Sequence, residues 1–161
     1  MTLLHTMIAG RVAALRAAET RAWPAGTLLT ADDVLVAGTS LAELARTVGT
    51  PALLAGATSG TGTGAPSRRS LVVVVQVDAV IPPMHRPREV WIDAELEGCA
   101  PVLSAVRVLG RACAGHSHRY RIRPDRSESL AELVRLPADL HRHDLLAIPC
   151  TSRVALEDIR R

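Results

Sequence analysis

SRRSLVVVVQVDAVIPPMHRPREVWIDAELE, residues 67–97, carries the pattern of two β-strands joined by a stiff proline- and arginine-containing loop. Leu71 to Val75 is apolar without alternation, as expected of a strand buried on both faces at the centre of a sheet. The second run alternates. Val90, Ile92, Ala94 and Leu96 fall on one side, and Trp91, Asp93, Glu95 and Glu97 on the other, which predicts a half-solvated strand.

Working outward from this pair, Thr27 to Gly38 predicts two short strands around a turn at Ala31, Asp32 and Asp33. Ser40-Leu41-Ala42-Glu43 is a capping box: the serine hydroxyl accepts from a free backbone N–H and starts a helix that Gly49 and Pro51 end. Pro51 to Ala57 predicts a further strand. On the N-terminal side, Leu4, Ile8, Val12 and Leu15 recur at helical spacing and predict an amphipathic helix ending before Trp23 and Pro24. Toward the C-terminus, Pro101 to Gly110 predicts a short helix or strand, and His118 to Arg123 a strand. A second capping box, Ser129-Leu130-Ala131-Glu132, predicts a helix closed by Pro137. Another helix is expected over Ala138 to Leu146, with Pro149 as a break. The whole chain of 161 residues suits a single domain, 1–161, with a flexible glycine-rich segment near 58–69.

Composition excludes several classes. Hydrophobic residues make up 48% and charged residues 22% of the chain, which is ordinary for a globular protein. All 19 basic residues are arginine, a bias that fits a high-GC bacterial genome. The net charge of +3 is spread along a chain with 16 acidic residues, whereas a nucleic-acid footprint clusters its charge. With only Trp23, Trp91 and Tyr120 as aromatics, a base-stacking platform is nearly absent. Nucleic acid and membrane are therefore not expected partners. Cys99, Cys113 and Cys150 form no C-x-x-C pair and read as reduced thiols of a cytoplasmic protein. The glycine run SGTGTGAPS lacks both the G-K-[ST] ending of a phosphate loop and the spacing of a dinucleotide fingerprint.

The order strand, strand, capped helix, strand, then two long strands is that of an α+β fold. It predicts a small split β-barrel of mainly antiparallel strands with peripheral helices. Two passages carry a family resemblance: GTLLTADDVLVAGTSLAELARTVGTPALLAG, and LVVVVQVDAVIPPMHRPREVWIDAELEG, in which a valine-rich strand is followed by an aspartate, an arginine loop and an x-V-W-I-x-A-x-L strand. Over Thr27 to Gly98 the chain resembles the pyridoxamine 5′-phosphate oxidase-like, flavin-binding split-barrel superfamily, especially its small bacterial haem-utilisation branch. That resemblance implies a homodimer with a ligand, flavin mononucleotide (FMN) or haem, held between barrels. It points to Arg68, Arg69 and Ser70 as the analogue of the family's phosphate-holding cluster. The absence of a fuller cluster implies a vestigial, non-catalytic relative of flavin-dependent oxidoreductases.

Other candidates stand outside the resemblance. His116-Ser117-His118 and His141-Arg142-His143 are H-x-H pairs; on a strand such spacing points both imidazoles to one side, so His116 and His118 are candidate metal ligands. A single histidine can also hold haem iron. Arg119, Arg121 and Arg123 share one face of their strand. They form either a solvated edge that resists strand pairing or the contact surface of an interaction module. No G-x-S-x-G elbow or paired Cys–His arrangement supports a catalytic nucleophile.

Overall fold

The computed structural model of the protein describes residues 21–56, 70–84, 87–113, 115–124, 132–152 and 154–159. The expected N-terminal helix over Leu4 to Leu15 and the segment near 58–69 lie outside the described residues. The described residues form ten strands, two short α-helices and a 3-10 helix (Leu103–Ala105), and residues 21–22 are helical: β1 (Thr27–Leu29), β2 (Val34–Val36), β3 (Thr39–Ser40), α1 (Leu41–Val48), β4 (Ala52–Ala55), β5 (Leu71–Ile81), β6 (Arg88–Ile92), β7 (Arg107–Leu109), β8 (Ser117–Pro124), β9 (Leu133–Pro137), β10 (Leu145–Cys150) and α2 (Leu156–Ile159). The fold is α+β and mostly β, with a nearly closed, barrel-like sheet, as a small split barrel requires.

β5 organises the sheet. Its first half lies between β10 and β4, and its second half pairs with β6 after a bulge at Val77 to Ala79. The strand path is β7-β10-β5-β6-β8-β9, with every pairing antiparallel except β6 with β8. Because β5 is covered on both sides, its residues serve two cores. Val73, Val75 and Val77 join Val90, Ile92, Tyr120, Ile122, Leu146 and Ile148 inside the barrel. Val72 and Val74 pack outward against Trp23, Val34, Val36, Leu41 and Ala45, where α1 and the β1–β3 sheet cover the barrel. Cys99, Cys113 and Cys150 are free thiols.

The elements around α1 match the local chemistry. Ser40 Oγ accepts from Glu43 N at 3.1 Å, and the Gly49 N–H donates to Ala45 O at 2.9 Å with φ of +82°. Asp33 adds a second cap: its Oδ1 accepts from Val34 N (2.8 Å) and Ala42 N (3.1 Å), while Oδ2 accepts from the Ser40 hydroxyl. The turn between β1 and β2 and the start of α1 therefore share one carboxylate.

Four expectations change. The second strand of the opening pair ends at Ile92, short of Glu97, because Asp93 folds back on β5. Its Oδ1 accepts from Gln76 N at 2.7 Å, so the polar row is half-buried rather than solvated up to Glu95. The helix expected after Ser129 is instead strand β9, since Val134 and Leu136 enter the barrel core while β9 pairs with β8. The helix expected over Ala138 to Leu146 is a turn leading into β10, where Pro149 stands within the strand opposite Val72. His143 accordingly adopts φ of +72° and is not helical. Lastly, β8 is no edge: it runs between β6 and β9. No helix among the described residues is long and apolar enough to cross a membrane.

Candidate functional site

Alternation along β8 decides the chemistry of its two faces. Tyr120, Ile122 and Pro124 are buried toward the barrel, and Ser117, Arg119, Arg121 and Arg123 point the other way. Antiparallel β9 sets Arg135 opposite Arg119 and Leu133 opposite Arg121. Parallel β6 sets Glu89 opposite Arg121 and Trp91 opposite Arg123. The result is a row of guanidinium groups on the outer face of a paired sheet.

At one end of the row Arg123 Nη2 donates to Glu89 Oε1 at 2.7 Å. This hydrogen bond and the nearby positive charge hold the Glu89 carboxyl below its ordinary range, against partial desolvation. At the other end, Arg119 and Arg135 have no ion-pair partner among the described residues. Three adjoining concavities share Arg135. One, of about 420 Å³, is lined by Thr30, Asp33, Val106, Arg107, Cys113, His116 and Leu136. The second, about 530 Å³, holds Pro83, Pro87, Arg88, His118, Arg119 and Leu133. The third, about 690 Å³, holds Ser104, Arg107, Arg119, Glu132 and Leu133.

Together they form a groove with arginine forks and apolar walls. A guanidinium presents paired N–H donors that match a phosphate or carboxylate, and Arg119 and Arg135 lie directly across a strand pair from each other. Asp33 borders the groove, but its carboxylate is committed to α1 and β2. One wall is fixed by an ion-pair cluster. Arg111 donates through Nε (2.9 Å) and Nη2 (2.8 Å) to the two oxygens of buried Asp144, and through Nη1 to Asp139 (2.7 Å). That clamp holds the loop leading to Cys113 and His116 against the β9–β10 turn.

His116 and His118 lie at the start of β8 as an extended pair, yet they line different concavities. Among the described residues no group of three or more His, Cys, Asp or Glu side chains comes together in a metal-binding arrangement. Cys113 shares a concavity with His116, but desolvation pushes its thiol up, opposite to the shift that makes a thiolate nucleophile. Arg68 and Arg69 lie outside the described residues. Ser70 immediately precedes β5, its carbonyl accepting from Gly56 N at 3.1 Å, and it lines none of the three concavities.

Arg107 and Arg135 escaped the sequence reading. The signal for Arg135 was present in LVRLP, where Val134 and Leu136 alternate with it, but the preceding capping box suggested a helix. Arg107 lies on β7, in a region whose element type the sequence left open. A scan against family models and a search of curated proteins find no match to this chain.

Proposed function

We propose that this protein is a split-barrel binding protein related to the pyridoxamine 5′-phosphate oxidase-like superfamily. It acts as a homodimer, without catalysis, and holds a planar aromatic ligand by its anionic arm in the arginine-lined groove. FMN, with its phosphate, and haem, with its propionates, share that chemistry. The observation that carries this proposal is the facing pair Arg119 and Arg135, without an ion-pair partner among the described residues: Arg135 borders all three concavities and Arg119 two of them. Pro83, Pro87 and Leu133 supply apolar surface beside the forks.

Titration of the purified protein with FMN, riboflavin and haem tests it. FMN or haem should bind, and riboflavin, which lacks the phosphate, should bind at least about tenfold more weakly, as loss of one charge-assisted hydrogen bond predicts. Arg119→Ala with Arg135→Ala should abolish the preference for FMN over riboflavin. Light scattering should give twice the chain mass. A protein that takes up neither FMN nor haem overturns the proposal.

A further inference from the structure

We propose that Cys99 and Cys150 form a reversible intramolecular disulfide when the protein meets hydrogen peroxide, which makes this pair a thiol-oxidation site. Neither residue lines the arginine groove. Both are free thiols buried in the barrel core.

The fold brings them together from two elements. Cys150 ends β10, opposite Leu71 of β5, and Cys99 lies in the turn beyond Leu96. Backbone bonds tie the two stretches: Val102 N donates to Pro149 O at 2.8 Å, Thr151 N to Ala100 O at 3.2 Å and Ser152 N to Cys99 O at 3.1 Å. Pro101 stands directly across from Cys150. Within this frame the two thiols are in hydrogen-bonding contact, Cys150 S–H donating toward the Cys99 sulfur, with Ile148 O at 3.6 Å as its other acceptor. Two sulfurs in contact on backbones held in place are what a disulfide requires. A metal is the other use of adjoining thiols. Among the described residues no group of three His, Cys, Asp or Glu side chains forms around them.

The contact divides the roles. The hydrogen bond from Cys150 holds the Cys99 thiol below its ordinary range, against desolvation and the Asp158 charge, whereas the same bond and burial push Cys150 up. Cys99 is therefore the attacking thiolate. Its sulfur bonds to one peroxide oxygen, the O–O bond breaks, and the departing oxygen takes a proton and leaves as water, giving a Cys99 sulfenic acid. The Cys150 sulfur then displaces hydroxide from that sulfur, its own proton completing a second water. Two thiols thus lose two electrons and two protons, and one peroxide becomes two waters.

The site lies just under the surface. Gly98 and Ala100 on either side of Cys99 are exposed, as is Thr151 beyond Cys150. The stretch carrying α2 lies against this turn, Glu95 N donating to Ile159 O at 3.1 Å and Val154 approaching Gly98. Local opening of a single-turn helix admits a molecule as small as peroxide while the barrel stays folded.

The test adds hydrogen peroxide to the full reduced chain carrying Cys113→Ser, which removes the exposed thiol, and counts free thiols in denaturant after quenching. Both remaining thiols should be lost together, the mass should fall by two hydrogens, and peptide mapping should recover a Cys99–Cys150 link that dithiothreitol reverses. The oxidised chain should melt at least about 5 °C above the reduced one, because the bond closes a long loop. In Cys150→Ala, with its thermal midpoint read in parallel, dimedone should capture a sulfenic acid at Cys99; should that variant not fold, the Cys113→Ser chain carries the test alone. Thiols that stay countable after peroxide, links formed between chains instead of within one, or pairing seen only when oxidation is done in urea would each overturn the proposal. An oxidised chain that melts no higher than the reduced one would overturn it as well.

Discussion

Removing Arg111 should be the most damaging single change in the polar part of the molecule. Asp144 is 5% exposed, and its carboxylate accepts two bonds from Arg111 and one from His141 N at 2.9 Å. Arg111→Ala leaves that carboxylate buried with the His141 amide and, at 3.3 Å, the His141 Nδ1 as its remaining partners, a situation that costs about 3–5 kcal/mol. The Arg111 side chain is itself 25% exposed, so water can partly replace it and the lower end of that range applies. For a chain of this length, about 3 kcal/mol lowers the thermal midpoint by roughly 6–12 °C. Urea unfolding followed by circular dichroism, with calorimetry on the same samples, measures both quantities. Asp139→Asn, at the half-exposed end of the cluster, should cost far less. The double substitution Arg111→Met with Asp144→Leu should recover most of the loss, because no charge is then stranded. If Arg111→Ala were no worse than Asp139→Asn, the cluster would not be the clamp described. The same variant should also weaken FMN binding, since the clamp fixes the loop carrying Cys113 and His116.

Asp33→Ala should cost about 1–2 kcal/mol in urea unfolding, because one carboxylate caps both the β2 turn and the first turn of α1. Tyr120→Phe should cost about 0.5–1.5 kcal/mol by the same method, through the hydroxyl that donates to Pro137 O at 3.1 Å. Glu89 and Asp139 are held below their ordinary values, chiefly by hydrogen bonds from Arg123 and Arg111. Their contribution is therefore complete above the unfolded-state values near pH 4 and lost as pH falls through the folded ones. Urea midpoints should decline below about pH 4, and Arg123→Gln should flatten the part of that decline due to Glu89.

The strands that were legible in sequence are those whose own residues dictate their environment. Leu71 to Val75 is apolar at every position because both faces of β5 are covered, and Ser40 announces α1 because the cap is local chemistry. β9 and β10 were illegible for opposite reasons. In β9 a capping box and good helix formers precede a strand, and pairing with β8 outweighs that preference because Val134 and Leu136 complete the barrel interior. In β10 the run LLAIPC is short and apolar, which periodicity cannot assign, and Pro149 reads as a break. β7 pairs only Leu145 to Ala147, so Pro149 lies beyond that contact, and the strand tolerates it.

Misplacing β9 had a chemical consequence. An arginine row on an edge strand would be a solvated guard against strand addition, its side chains free to sample water. With β9 paired to one side and β6 to the other, the row is flanked by side chains in register, and its members become unequal. Arg123 is committed to Glu89, Arg121 has an unmet Nε, and Arg119 faces Arg135. Arg119 and Arg135, directly opposed across a strand pair and both exposed, present two like charges between which an anion would sit. Because β8 alternates strictly, a one-residue slip would turn Tyr120 and Ile122 outward, and the barrel core therefore fixes the arginine register. The hydrophobic face thus sets the spacing of the charged one, and the pairing of β9 with β8 is what places Arg135 opposite Arg119.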